Sequence, residues 1–531
     1  MKQLASMTIL AGAYALAGCN ADDASPAGGG TEQGTTGIGS TNTTADTSST
    51  EPPGGSGSES SGESSDDRTL ITHNFGSYTL DPAEETQPCV QWTLSNDQPV
   101  YAQAVQLSNR GFFHHSNWFI VPEGVFEGED GYFNCSERGF TEVSAALQGS
   151  VLFAQSTQSY VEEQRTLEGA VVKIPEHYKV IGSTHLLNVT PAEVETDLWM
   201  SFELVHPRLV DVLLTPFRLT YFDLQIPADA ESRFTGECTD MAEKYEARAG
   251  TPFNLKLHYV LPHFHYLGNY FRAEISGGAR DGEEIVSTVG FNGQANGRMF
   301  DPPLDLSGSE GVRFTCGYDN WTDTEVGWGI GDQEMCVMLG LAEADVLLDT
   351  SVTDDTEAVG MNAGVLEFEG PCGTLALPKN AAQSMPTQEE IDGEFYIPPI
   401  DPADADIPAV PECVDAAVSA TPTQEPTLEN LQAVFVQSCS FNSCHGRTTA
   451  AGQLNLEATD LHAALVGPMA VGDASIPLVD PGNPEGSFLY QKMAQCSPSA
   501  GNSMPLNAPI LLSNETVALV REWIAAGAPA G

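Results

Sequence analysis

From residue 68 to about 375, apolar residues come in short runs, often alternating with polar ones and broken by Gly, Pro, Asn or Asp. Period-two alternation marks a strand with one buried face. The runs at 100–107, 117–121, 210–215 and 217–224 are predicted strands, and long helical periodicity is absent from this span. A mainly β architecture follows: two tandem antiparallel β-sandwiches, 68–230 and 231–375, parting around residues 227–236. Residues 376–425 are rich in Pro, Asp, Ala and Thr and predict a stiff linker. Beyond it the period changes. Apolar residues at 427–436 and 513–526 recur at helical spacing, so 426–531 predicts a small, mainly helical domain.

The first residues predict export. Lys2 is followed by an apolar stretch, residues 7–16, too short for a membrane-crossing helix of about 20 residues. It closes in Leu16-Ala17-Gly18-Cys19, similar to a bacterial lipobox. That similarity implies a signal peptide over 1–18 and a lipid on the Cys19 thiol, holding the protein to a membrane of the cell envelope. Residues 19–67 lack aromatic residues and are dominated by Gly, Ser, Thr, Asp, Glu and Pro, the composition of a disordered tether.

Charge narrows the partners. With 73 Asp plus Glu against 21 Lys plus Arg, the net charge is -52, and a chain so acidic is repelled by nucleic-acid phosphates.

Candidate chemistry lies in the histidines. Of the 11 present, several fall in two tight clusters, Phe113-His114-His115-Ser116 and Pro262-His263-Phe264-His265. In a strand, residues two apart share a face, so His263 and His265 project together and can hold one ion. In isolation such a pair serves equally well as two half-buried strand histidines. His114 and His115, being adjacent, reach one ion only at a bulge or a strand end.

Taken together, these residues resemble the copper type II, ascorbate-dependent monooxygenases, the family of peptidylglycine α-hydroxylating and dopamine β-monooxygenases, over roughly 85–375. Pro262-His263-Phe264-His265-Tyr266-Leu267-Gly268 is similar to the family's His-x-His-x-x-Gly segment. Cys316-Gly317-Tyr318-Asp319-Asn320-Trp321, Gly327-Trp328-Gly329 and Asp332-Gln333-Glu334-Met335-Cys336 are similar to the block ending in its Glu-Met-Cys. The resemblance implies jelly-roll-like sandwiches and two coppers. His114, His115 and His185 would hold the electron-storing ion, with His177 as the alternative to His185. His263, His265 and Met335 would hold the oxygen-activating ion, a neutral thioether favouring Cu(I). It also implies a Cys316–Cys336 disulfide. His73, His206, His258 and His462 are read as ordinary histidines.

Eleven cysteines less Cys19 leave an even number, as an oxidising compartment favours. Cys238 with Cys372 and Cys89 with Cys135 are further candidate pairs. Cys439-Ser440-Phe441-Asn442-Ser443-Cys444-His445 and Ser503-Met504-Pro505 resemble small cytochrome c-like domains. That resemblance implies haem c on Cys439 and Cys444, with His445 and Met504 as axial ligands, and leaves Cys413 and Cys496 to pair. Four residues between the cysteines depart from the usual two, so a haem-free helical domain with disulfides stays open. The Asn-x-Thr sequences at Asn188, Asn320 and Asn514 are read as incidental.

The expected activity is hydroxylation of a C–H bond of a small organic substrate with dioxygen. Electrons would come from an ascorbate-like donor or the fused haem. The alternatives are a lipid-anchored copper-binding or electron-transfer protein without turnover, and a surface interaction scaffold without metal. Nothing in the sequence fixes the substrate, and Leu339 stands where a polar contact was sought.

Overall fold

A computed structural model describes residues 67–155, 159–289, 297–329, 333–410, 412–441, 444–446, 450–506 and 512–531; Cys19, the signal and the tether lie outside them. The chain is mainly β. Strands Arg68–Leu80, Val194–Val205, Val100–Asn109, Ala170–Ile174 and Val212–Leu213 lie in that order in one sheet. Gly131–Phe133, Cys89–Thr93, Tyr178–Leu187, Phe113–Pro122 and Ser150–Gln155 form a second. Ile71, Leu107 and Phe202 from the first sheet and Val90, Trp118 and Val180 from the second meet in one apolar cluster. This is what alternating strands produce when each sheet has one apolar face.

The second unit is an 11-stranded sheet folded on itself. Its hinge is the long strand Val365–Pro378, which pairs with Ala230–Cys238 through Pro371 and with Val346–Val352 from Cys372 onward. The two halves so joined enclose a core that includes Phe217, Leu257 and Met338 on one side and Phe234, Phe271 and Phe314 on the other. The strand Thr215–Tyr221 belongs to this sheet, so the sheets change over just after Leu213, earlier in the chain than the sequence pattern places the break.

Both units close a strand with the same turn. Asn188 accepts from the Thr190 amide and hydroxyl and donates to Ala192 O; Asn320 does the same with Thr322 and Thr324. Both asparagines are fully buried, so these Asn-x-Thr sequences are structural turns.

Helices Leu428–Ser438, capped by Thr427, and Asn514–Ala525, capped by Ser513, fall where the period predicts them. They pack on Phe488–Ala494 around a separate core that includes Leu431, Phe435, Leu489 and Trp523. None of the described helices is long and apolar enough to cross a membrane.

The Pro-rich connection does more than span. Its residues 381–406 lie along the first unit: His206 Nε2 meets Gly393 O at 3.2 Å, Lys173 Nζ donates to Ser384 O at 3.1 Å, and the Tyr101 hydroxyl donates to Glu390 at 3.0 Å. Burial pushes the Glu390 carboxyl up, but the Thr387 amide and hydroxyl, Lys173 and Tyr101 outweigh it and hold it below the ordinary value of 4.5. Its stabilising contribution is therefore complete above that value and is lost as pH falls through the lower folded one. Glu390→Ala leaves Tyr101 and Lys173 short of a partner at buried positions, an expected cost of about 1–3 kcal/mol. Urea denaturation will read that cost, and limited proteolysis around residue 390 should accelerate both in this variant and in the wild type at acid pH.

Candidate metal centre

The first histidine set is made by a bulge. Strand Phe113–Pro122 pairs with Tyr178–Leu187, with His115 opposite His185 but Phe113 opposite Leu186. His114 is the extra residue, and the added twist turns two neighbours toward one point. Ring centroids stand 5.1 Å apart for His114–His115, 4.8 Å for His114–His185 and 4.9 Å for His115–His185. One nitrogen from each lies within 4.8 Å of the others. A bound transition metal needs its nitrogens about 3.4 Å apart, so a small rotamer adjustment closes the set. His177 sits elsewhere, in a left-handed turn bonded through its backbone to Asn96 and Glu123.

His185 Nε2 meets Glu85 Oε1 at 3.0 Å, which fixes the ring and leaves Nδ1 as its other donor atom. No sequence signal marks Glu85; only the pairing of Glu85–Thr86 with the end of Tyr178–Leu187 brings it there.

His263 and His265 also come together, with centroids 5.3 Å apart at 83°, though not by strand alternation. His263 is the last residue of Lys256–His263, and His265 lies in the turn beyond. The ladder ends there because the buried Glu334 carboxylate takes the backbone N–H groups: His265 N at 2.8 Å and Leu267 N at 2.6 Å. The Met335 amide reaches the same carboxylate at 3.2 Å. His265 Nδ1 meets Gln333 O at 2.7 Å, leaving Nε2 as the free donor atom. Met335 is thus carried on the loop bonded to His265, and its carbonyl accepts from the Tyr318 hydroxyl at 2.8 Å. No sequence signal marks this role of Glu334: Asp332 and Gln333 beside it are polar, and two of its partners come from residues 265–267.

Burial pushes the Glu334 carboxyl up to about 8 against the three amides that pull it down. Burial, helped by the His265 charge, lowers His263 to about 3. Burial also lowers His115, followed by His114, His185, His263 and His265, and it lowers His265, with His185 contributing. The two sets therefore feel each other's charge across the boundary between the β units. Ala154 of the first unit packs on Leu261 and Leu339 of the second at that boundary. Neutral imidazoles are the form that binds a metal.

All four candidate disulfides form: Cys89–Cys135, Cys238–Cys372, Cys316–Cys336 and Cys413–Cys496. Cys439 and Cys444 are in no disulfide. Cys439 caps the helix Leu428–Ser438, and its carbonyl accepts from the His445 amide at 3.0 Å. His445 Nδ1 meets Leu454 O at 3.2 Å, leaving Nε2 available. Phe441 is part of the first unit's core, and Cys444 packs on it. Met504 is held through its amide on Lys492 O at 2.7 Å, and no described contact joins it to His445. Among the described residues, His114, His115 and His185 are the one set of His, Cys or carboxylate groups whose ligand atoms converge. The remaining histidines serve the frame: His73 stacks on Trp92 and pairs with Asp404, and His462 meets Ala528 O.

No known protein family matches the chain. No curated protein matches it. Solved structures similar to parts of it include the PBSX exported protein XepA, at 7% identity over 51% of this chain and 86% of that one, TM-score 0.15. Others are the infectious bursal disease virus VP2 subviral particle (9%, 52% and 72%, TM-score 0.13) and the ANXUR2 extracellular domain from Arabidopsis thaliana (9%, 56% and 84%, TM-score 0.12). At such scores none bears on fold or function.

Removing the carboxylate behind His185 tests the first set. Glu85→Ala should weaken Cu2+ or Zn2+ binding there by about 10–100-fold, with the fold intact, in competition titrations against a chelator.

Proposed function

We propose that this protein is a copper-dependent monooxygenase that hydroxylates a C–H bond of a small organic substrate. In this reading the two β units are jelly-roll-like sandwiches, and the helical end is cytochrome c-like. The observation that carries it is the convergence of His114, His115 and His185 at a bulge, facing a second pair, His263 and His265, tied to Met335. The donor sets fit the metal. Three neutral imidazoles suit either oxidation state of copper, while two imidazoles with a thioether favour Cu(I).

Copper, when bound, supplies one-electron storage at the first set and dioxygen chemistry at the second. The chain's own residues do the rest. Glu85 and Gln333 orient His185 and His265 through the ring nitrogens they contact. Burial keeps His115, His263 and His265 deprotonated at neutral pH. The packing of Ala154 on Leu261 and Leu339 keeps the two units in register and limits water at their boundary.

The reductant is ascorbate-like or is the chain's own haem, with Cys439 and Cys444 as thioether donors and His445 Nε2 as an axial ligand. Packing of Cys444 and Phe441 on the first core makes the first copper the natural acceptor. Cys19 would carry the lipid anchor, placing the enzyme in the bacterial envelope.

The exported, copper-loaded protein should hold about two copper ions, falling to about one in His185→Ala or His263→Ala. It should consume oxygen with an added reductant and a substrate panel, and its pyridine haemochrome should vanish in Cys439→Ser/Cys444→Ser. Full copper without oxygen uptake on any substrate indicates an electron-transfer protein instead. Absence of copper overturns the reading.

A further inference from the structure

We infer that Glu334 is the positioning residue of the second ligand set, the group that makes His265 and Met335 move as one. The inference rests on reading His263, His265 and Met335 as copper ligands. Glu334 is fully buried, and its carboxylate is filled by backbone donors from two segments far apart in sequence. Oε1 accepts from Leu267 N at 2.6 Å. Oε2 accepts from both His265 N at 2.8 Å and Met335 N at 3.2 Å. One oxygen thus joins the backbones of two ligands that share no strand.

The backbone of Glu334 is itself fixed, its amide on Gly327 O at 2.9 Å and its carbonyl accepting from Gly329 N at 3.0 Å. Among the described residues, Glu334 is the one whose side chain bonds the backbone amides of both His265 and Met335. The Cys316–Cys336 disulfide anchors the residue after Met335, and Tyr318 holds the Met335 carbonyl, but neither touches His265. Gln333, two residues before Met335, sets the His265 ring through its carbonyl. Without the carboxylate, the inward N–H groups of His265 and Leu267 lose their acceptor, and so does the Met335 amide.

The geometry demands an acceptor on both oxygens. A carboxylate offers acceptors on both oxygens, whereas an amide replaces one oxygen with a donor. In Glu334→Gln that NH2 faces either Leu267 N–H or the His265 and Met335 N–H pair, so at least one inward amide loses its acceptor.

X-ray absorption on the full chain loaded with Cu(I) tests the assignment. The wild type should show sulfur scattering from one copper, and Met335→Leu should lose it. Glu334→Gln should keep both coppers, since the histidines remain, yet lose about half or more of the sulfur signal. A wild-type sulfur signal that persists unchanged in Glu334→Gln overturns the role of Glu334 and leaves the copper reading intact. No sulfur in the wild type overturns the assignment of Met335, and this inference with it.

A metal-free readout covers the case in which the variant fails to fold. In the wild-type apoprotein the His265 and Leu267 amides, which belong to no ladder, should exchange hydrogen within about tenfold of the neighbouring strand amides. Exchange at open-loop rates would overturn the inference by itself.

Discussion

A single buried carboxylate organises the second β unit's contribution to the site. Glu334 sits where a strand ladder stops, and it stops because three backbone amides turn inward to it. Burying an ionisable group is costly unless hydrogen bonds compensate, and here the compensation comes entirely from main chain. That choice has a structural consequence. Side-chain partners would fix only each other, whereas main-chain partners fix the course of two loops. The His263–His265 turn and the Glu334–Cys336 segment are held at one separation, and the Cys316–Cys336 disulfide then ties both to the core of the folded sheet.

The first unit solves the equivalent problem differently. A bulge at His114 gathers three imidazoles without any buried charge, and Glu85 supports the one that comes from the opposite strand. The two solutions meet at the boundary between units, where the histidines of one lower the proton affinity of the other. Mutual repulsion of the protonated forms adds to burial, so the apoprotein presents unprotonated nitrogens to an incoming cation. In the proposed reading, the electron-storing and oxygen-activating roles fall on sets with different donors: three imidazoles in one, two imidazoles and a thioether in the other.

The Pro-rich connection and the helical end join this arrangement to the rest of the chain. Residues that composition reads as a spacer are fastened to the first unit through Tyr101, Lys173 and His206. Phe441 enters that unit's core, and Gln453 reaches Asp319 of the second at 3.3 Å. The segment that carries Cys439 and Cys444 is therefore seated against the β units instead of hanging from a tether.

By itself the sequence determined the strand-rich class, the two end helices, the cysteines that are candidates for pairing and the two histidine clusters. Each of these rests on local signals: alternation, helical spacing, and scarce residues in tight clusters. The sequence also stated the condition for His114 and His115, a bulge, but not that one exists, because a bulge is a property of two strands in register. His263 and His265 looked like a strand pair, and only the fold shows that the strand ends between them. The reason is that the Glu334 carboxylate is supplied from far along the chain, as is Glu85 for His185. Period and spacing report what a residue's neighbours in sequence require; which distant acceptor captures a backbone amide is decided only when the sheets close.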